Sequence, residues 1–146
     1  MVYGEGEEFD SSTGVRQRYP TLQQEMGLGG FRSHCFICQP TVVFRRTMGV
    51  LLGPFELRWR TAFDFDYWLR AFAAFPDRIG YISTLQGLTR IHQSTITSRQ
   101  RFLVALEATA LLARHFGAAP PARLHAYALE LQLGVEIGRA SCRERV

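Results

Sequence analysis

Lysine is absent from this chain, and all 17 of its basic residues are arginines. Against 13 acidic residues they leave a net charge of +4, and they are scattered along the sequence, which argues against a nucleic-acid-binding protein. An apolar run of about twenty residues, long enough to cross a bilayer, is missing, and so is a secretory signal. The composition, 47% hydrophobic and 21% charged, is typical of one globular domain with its own core.

Cysteine is scarce, with three residues in the whole chain. Cys35 and Cys38 have the spacing of a zinc or redox pair, but the second pair that would complete a zinc site is missing. The segment continues into a β-branched run, and residues three apart on a strand point to opposite faces. We therefore predict two free thiols, buried or half-buried, which fits a reducing cytoplasm.

The C-terminal tail differs from the rest of the chain. Residues 136–146 (EIGRASCRERV) have no apolar periodicity and resemble the translation of a sequencing adapter. We expect them to be a non-native tail that packs against nothing and leaves Cys142 reactive. The rest of the chain begins in a strand-like segment and is expected to be a fragment of a longer protein.

Alternating strand and helix signals, separated by glycine and proline, predict an α/β fold. In the first part of the chain the predicted elements are a strand over 2–4, an acidic connection over 5–14 with a turn at 11–14 and a second short strand as an alternative, a short helix over 21–28 stopped by Gly29 and Gly30, a strand over 37–46 and a helical turn over 47–52.

The clearest element is an aromatic helix predicted over 64–75. Asp64 stands where an N-cap belongs. The apolar surface of this helix is broad, so we expect it to be largely buried, with Trp68 as a core anchor. Asp66 and Arg70 lie one turn apart and predict an ion pair.

After this helix the pattern predicts two strands, over 79–82 and 85–91, separated by a tight connection. Two helices are then predicted, over 98–116 with Gly117 as a stop and from the prolines at 120–121 to residue 133 with Gly134 closing it. Together they form a helical appendage to the α/β part.

Three blocks carry a resemblance to a known family: residues 37–46 (ICQPTVVFRR), 61–70 (TAFDFDYWLR) and 88–95 (LTRIHQST). In this order and spacing they resemble the C-terminal half of the catalytic domain of family 2 glycosyltransferases, which are inverting nucleotide-sugar enzymes of the GT-A fold. The resemblance covers about residues 1–97. It divides the chain into a partial GT-A domain with a Rossmann-like mixed sheet (1–97), a helical hairpin (98–135) and the tail (136–146).

The resemblance implies roles for five residues. Asp64 matches the general base, although the acid that precedes it in the family is Phe63 here. Arg90 and His92 match a loop that reaches the donor diphosphate, and His92 also matches a metal ligand. Gln39 and Asp66 are implied substrate contacts, and a Gln39 that hydrogen-bonds backbone groups instead stays open as an alternative. From the residues alone, Asp64 as a simple N-cap, worth about 1 kcal/mol, and Asp66 as the structural partner of Arg70 stay open as alternatives.

The resemblance also implies partners. These are a nucleotide-sugar donor, a glycan or lipid-linked acceptor, and a divalent cation, Mg²⁺ or Mn²⁺, in the full-length enzyme. In the family an Asp-x-Asp motif at the end of a buried strand holds that cation; Asp64-Phe-Asp66 precedes a helix instead, so the metal motif is expected upstream of Met1. The isolated chain is expected to be inactive, and the parent enzyme to be cytoplasmic with peripheral association at the inner membrane face.

Two other function classes compete with this prediction. One is a non-catalytic binding module that keeps the same fold. The other is an unrelated metal-dependent hydrolase with Asp64, Asp66 and His92 as ligands, which requires the three side chains to converge within ligand distance. The glycosyltransferase hypothesis instead predicts that Asp64 opens onto a cleft at the N-terminus of its helix, with His92 on the same rim.

Overall fold

The computed structural model describes residues 1–21 and 27–143, with side chains as far as residue 134. Most of the predicted helix over 21–28 lies outside the described residues. The same holds for the predicted packing of the tail and the reactivity of Cys142. Within the described residues the protein is a mixed α/β fold with one small mixed sheet and five α-helices.

The sheet has three strands, β1 (Val2–Asp10), β2 (Arg16–Arg18) and β3 (Gly80–Ile91), in the order β2-β1-β3. β1 and β2 form an antiparallel hairpin, and its turn includes Gly14 at a φ of 74°. β1 and β3 run parallel, from the pair Val2–Gly80 to the pair Asp10–Ile91. The two strands therefore end at the same edge of the sheet.

The helices follow the chain as α1 (Arg46–Leu52), α2 (Phe63–Ala74), α3 (Ile96–Arg99), α4 (Arg101–Phe116) and α5 (Pro121–Arg143), with short 3-10 helices at Leu28–Arg32, Gln39–Thr41 and Pro76–Arg78. The predictions for α1 and α2 are confirmed to within one residue at each end. In the described part of the chain, no helix combines the length and apolar character needed to cross a membrane.

The predicted strand over 37–46 is wrong. Pro40 lies in the 3-10 helix Gln39–Thr41, whose first turn suits the fixed φ and missing N–H of proline. Within residues 37–46, only Val43 forms a β-bridge. It pairs with Val2 through two backbone hydrogen bonds with N···O distances of 2.8 and 3.0 Å.

Thr41 replaces the backbone pairing that a strand would have supplied. Its buried hydroxyl oxygen accepts a hydrogen bond from the Gly4 N–H at 3.2 Å and lies 3.1 Å from the Gly4 carbonyl oxygen and 2.8 Å from that of Cys38. One side chain thus satisfies polar groups in the middle of β1. The segment can therefore pack on the sheet without joining it.

The strand predictions also need correction in length. β1 continues through the acidic residues to Asp10, because residues 7–9 pair with neighbours on both sides. The two strands predicted over 79–82 and 85–91 are one strand, β3, whose register against β1 shifts on either side of Glu5. The tight connection expected between them is a bulge, which accommodates extra residues without ending the ladder.

Two glycines behave differently at the helix ends. Gly117 ends α4 in a left-handed conformation at φ 78°, as predicted. Gly134 has no positive φ, and α5 continues through it to Arg143, so its predicted role as a stop is wrong. The pair Gly29–Gly30, predicted as another stop, lies within the helix Leu28–Arg32. The predicted helix over 98–116 is divided at Gln100 into α3 and α4.

The core combines β1, α2 and α4 in one cluster. The rings of Tyr3, Phe31 and Phe36 meet Phe72 of α2 in tilted or edge-on contacts with centroids 5.0–6.3 Å apart, and Phe31 stacks on Phe36 at 4.2 Å. Trp68 is 3% exposed, so its predicted role as a core anchor is confirmed. α4 contributes its own buried apolar residues to the same cluster: Ala108, Leu111 and Leu112.

Candidate functional site

The first turn of α2 positions Asp64. The helix begins at Phe63, so Asp64 is its second residue, and the predicted N-cap role is wrong because Ala62 occupies that position. Asp64 Oδ1 accepts a hydrogen bond from the N–H of the next residue, Phe65, at 2.7 Å. The carboxylate is therefore near the start of the helix without capping it.

Glu107 of α4 binds the backbone that enters α2. Its carboxylate accepts hydrogen bonds from the N–H groups of Arg60 (2.9 Å), Thr61 (2.8 Å) and Ala62 (3.0 Å) and from the Thr61 hydroxyl (2.7 Å). Burial acts to raise the pKa of Glu107, but these hydrogen bonds outweigh it and the pKa is lowered. Glu107 is thus held as an anion.

Asp64 has the opposite electrostatic environment. The residue is half-buried, and burial raises the pKa of its carboxyl group, although backbone hydrogen bonds from Phe65 and from Asp64 itself act in the other direction. No cation forms an ion pair with Asp64 among residues 1–21 and 27–134. A carboxylate in this environment binds a proton more readily than one in water.

Asp66 is held inside the protein by Arg70. The predicted ion pair is confirmed, with Arg70 Nε 2.7 Å from Asp66 Oδ2. The guanidinium also donates to the carbonyl oxygens of Leu52 (2.8 Å) and Pro54 (3.1 Å) and lies over the Tyr67 ring. Because Asp66 is buried and paired, the geometry favours its structural role over the implied substrate contact.

Arg90 and His92 lie where β3 ends. Arg90 is exposed and is the second-last residue of the strand. His92 is half-buried and directly follows the strand. His92 Nδ1 lies 2.7 Å from the Ser94 hydroxyl, so the expected polar turn is present. Ser11 N donates to the Ile91 carbonyl at 3.1 Å, and this places the turn at the carboxyl end of the parallel pair, the edge where α/β sheets bind ligands.

The Cys-x-x-Cys segment lies between the start of α2 and the end of β3. Burial, with a smaller contribution from the nearby Asp64 charge, raises the pKa of Cys35 to about 12. Cys38 Sγ lies 3.6 Å from the hydroxyl of Thr89, next to Arg90. Both thiols are free, as predicted. No contact in the described residues joins Asp64 to His92, so their shared rim stays a prediction.

Gln39 is exposed at the start of the short helix Gln39–Thr41. The implied role as a substrate contact stays a prediction.

No metal centre forms within the described residues, since no three His, Cys, Asp or Glu side chains come together there. The convergence of Asp64, Asp66 and His92 that a metal-dependent hydrolase requires is therefore not met. His92 could contribute one ligand to a cation that other residues hold.

A cavity of about 870 Å³ opens elsewhere, between the start of β1, α1 and the segment after α2. None of the predicted site residues lines it. Asp66 and Arg70 line a smaller cavity of about 250 Å³. Neither cavity includes Asp64, so the chemistry of the side chains, rather than cavity size, identifies the candidate site.

Glu107 is the residue of this site that sequence reasoning missed. It lies four residues from both Leu103 and Leu111, on the apolar stripe of the predicted helix. An acid on such a stripe is rarely buried without a partner. That position was a usable signal, but the sequence does not show which distant donors it meets.

Comparison of the chain with protein-family models, with curated proteins and with solved structures finds no match in any of the three.

Proposed function

We propose that this chain is the acceptor-side half of an inverting, nucleotide-sugar-dependent glycosyltransferase of the GT-A fold, with Asp64 as the general base. The reaction class and the donor rest on the resemblance of residues 1–97 to family 2 glycosyltransferases. The mixed α/β fold with its small three-stranded sheet is compatible with such a half-domain.

The observation that carries the proposal is a contrast between three carboxylates around the start of α2. Asp66 forms an ion pair with Arg70, and Glu107 accepts hydrogen bonds from the backbone just before the helix. Asp64 alone of the three has neither a cationic partner nor a side-chain donor in the described residues. It is the carboxylate left available to a substrate.

The proposed chemistry is one in-line displacement. The acceptor hydroxyl attacks the anomeric carbon of the sugar while the bond from that carbon to the diphosphate oxygen breaks. Asp64 takes the hydroxyl proton as the new bond forms. Burial raises the pKa of Asp64, which makes its anion a stronger base for this step.

Arg90 and His92 are proposed to contact the donor diphosphate, since Arg90 is the second-last residue of β3 and His92 follows the strand, at the carboxyl end of the parallel pair. The expected Mg²⁺ or Mn²⁺ stays a prediction, and no step above is routed through it. The glycan or lipid-linked acceptor and association with the inner membrane face are likewise predictions.

The test is sugar transfer by the complete reading frame that encodes this chain, whatever its length. UDP-, GDP- and dTDP-sugars are supplied with Mg²⁺ or Mn²⁺ and mixed glycan acceptors, and release of nucleoside diphosphate is measured. Asp64→Asn keeps the shape of the side chain but removes its basicity. We expect it to lower kcat by about 10² or more, the usual effect of deleting a general base, with the KM for the donor little changed.

Asp77→Asn is the matched control. Asp77 is an exposed acid just after α2, on the segment that lines the separate cavity of about 870 Å³. The Asp77→Asn variant should leave kcat unchanged. Turnover by Asp64→Asn close to that of the parent would show that Asp64 is not the base. Acceptor binding without transfer from any donor would favour a non-catalytic binding module instead.

A further inference from the structure

We propose that Glu107 is a positioning residue for Asp64. Through Glu107, α4 would then help to orient the general base of the candidate site. The role in sugar transfer rests on the function proposed above. The placement of Asp64 does not, and it can be tested without activity.

The contact is unusual in how much backbone one side chain holds. Glu107 Oε2 accepts from the Thr61 N–H, the Thr61 hydroxyl and the Ala62 N–H, and Oε1 accepts from the Arg60 N–H, all within 3.0 Å. These partners lie 45–47 residues away in sequence. The Glu107 side chain is buried, with a residue exposure of 6%, so water is a poor substitute for it.

These bonds fix the residue from which α2 starts. Ala62 donates its N–H to Glu107 and accepts the first helical hydrogen bond, from Asp66 N at 2.9 Å, with its carbonyl. Side-chain capping is otherwise absent at this end of α2. Because Asp64 is two residues further on, its direction depends on how Ala62 is held.

An apolar residue in place of Glu107 would leave the N–H groups of Arg60, Thr61 and Ala62 without an acceptor. The neighbours of Glu107 on the same face of α4, Ala108 and Leu111, already pack into the core. Burying a carboxylate instead costs solvation energy, which only directed hydrogen bonds offset. The acid therefore supplies orientation, which apolar packing alone does not give.

The experiment compares Glu107→Gln with Glu130→Gln. Glu130 joins α4 to α5 through Arg101 at 2.6 Å and does not contact the start of α2, so its loss perturbs the same helical pair without touching Asp64. The activity-free measurements are the ¹³C signal of the Asp64 carboxyl group and amide hydrogen exchange. We expect Glu107→Gln to shift the Asp64 signal and to speed exchange at Ala62 and Phe65 at least tenfold, and Glu130→Gln to do neither.

The enzymatic measurement determines kcat and KM separately for the protein that the complete reading frame encodes. Glu107→Gln should lower kcat about tenfold or more and leave the KM for the donor within twofold. Thr61→Val removes only the hydroxyl hydrogen bond at 2.7 Å. It should change kcat and the Asp64 signal in the same direction as Glu107→Gln, but by less. It replaces Glu107→Gln if that variant does not fold.

A fall in thermal stability with the Asp64 signal and local exchange unchanged would overturn the positioning role, whatever the activity. If the signal and exchange change as expected while the parent transfers sugar from no donor, the proposed function fails and the placement of Asp64 by Glu107 stands.

Discussion

Replacing Arg70 with methionine should destabilise the fold far more than replacing a surface arginine. Arg70 holds the Asp66 carboxylate at 2.7 Å and donates to the carbonyl oxygens of Leu52 and Pro54 at 2.8 and 3.1 Å. Methionine keeps much of the apolar stem that packs near Tyr67 and removes the charge. The variant therefore leaves Asp66 without its partner and also removes the hydrogen bonds to the two carbonyl oxygens.

The expected loss at pH 7 is about 3–5 kcal/mol, the usual cost of unpairing a buried charge. The Asp66 side chain is only 4% exposed, so solvent cannot take the place of the guanidinium.

Urea unfolding at pH 7 measures this loss. Arg101→Met is the matched control, because the Arg101 side chain is 63% exposed in its pair with Glu130 and such surface pairs contribute about 1 kcal/mol at most. Equal losses for the two variants would refute the argument that the Asp66 carboxylate is buried away from water and depends on Arg70.

Two further predictions concern stability. Burial raises the pKa of Asp64, so its ionised form weakens the fold; this penalty is absent below about pH 3.8 and grows as pH rises through the folded-state pKa. Asp64→Asn should accordingly gain thermal stability over the parent between about pH 4 and 7, and a midpoint difference constant over that range would contradict this. Gly6→Ala should cost about 1–3 kcal/mol in urea unfolding, since its Cβ would lie 2.8 Å from the Cys38 Cβ and closer still to Sγ. Gly29→Ala, with no atom within 4 Å of the added Cβ, should cost less than half as much, and equal losses would refute the steric reason.

The sequence predicted the elements whose signals are local. α2 combines a broad aromatic face with a following proline, and both its bounds and the ion pair between Asp66 and Arg70 agree with the structure. The stop at Gly117 was also correct, because its left-handed conformation can be met by glycine at little cost. Patterns of this kind depend on neighbours within one or two turns.

The errors arose where distant contacts override local pattern. The β-branched run over 37–46 has strand propensity, but a threonine hydroxyl satisfies the groups of β1 that it would have paired with. Asp64 has the identity of an N-cap, yet Glu107 binds the backbone at that helix end from α4. Neither partner can be found from the sequence, since nothing local specifies which segments meet.

The Cys-x-x-Cys segment shows how packing can produce a pattern that resembles a reactive motif. Gly6 leaves room on β1 for the Cys38 side chain, which fills the space that a Cβ at Gly6 would need. Cys38 Sγ then reaches the Thr89 hydroxyl at 3.6 Å on β3, while Cys35 lies within the electrostatic range of Asp64. A larger side chain at position 38 would therefore have to displace β1 or the segment itself. Packing of Cys38 against Gly6 and Thr89 therefore accounts for the second cysteine of the spacing.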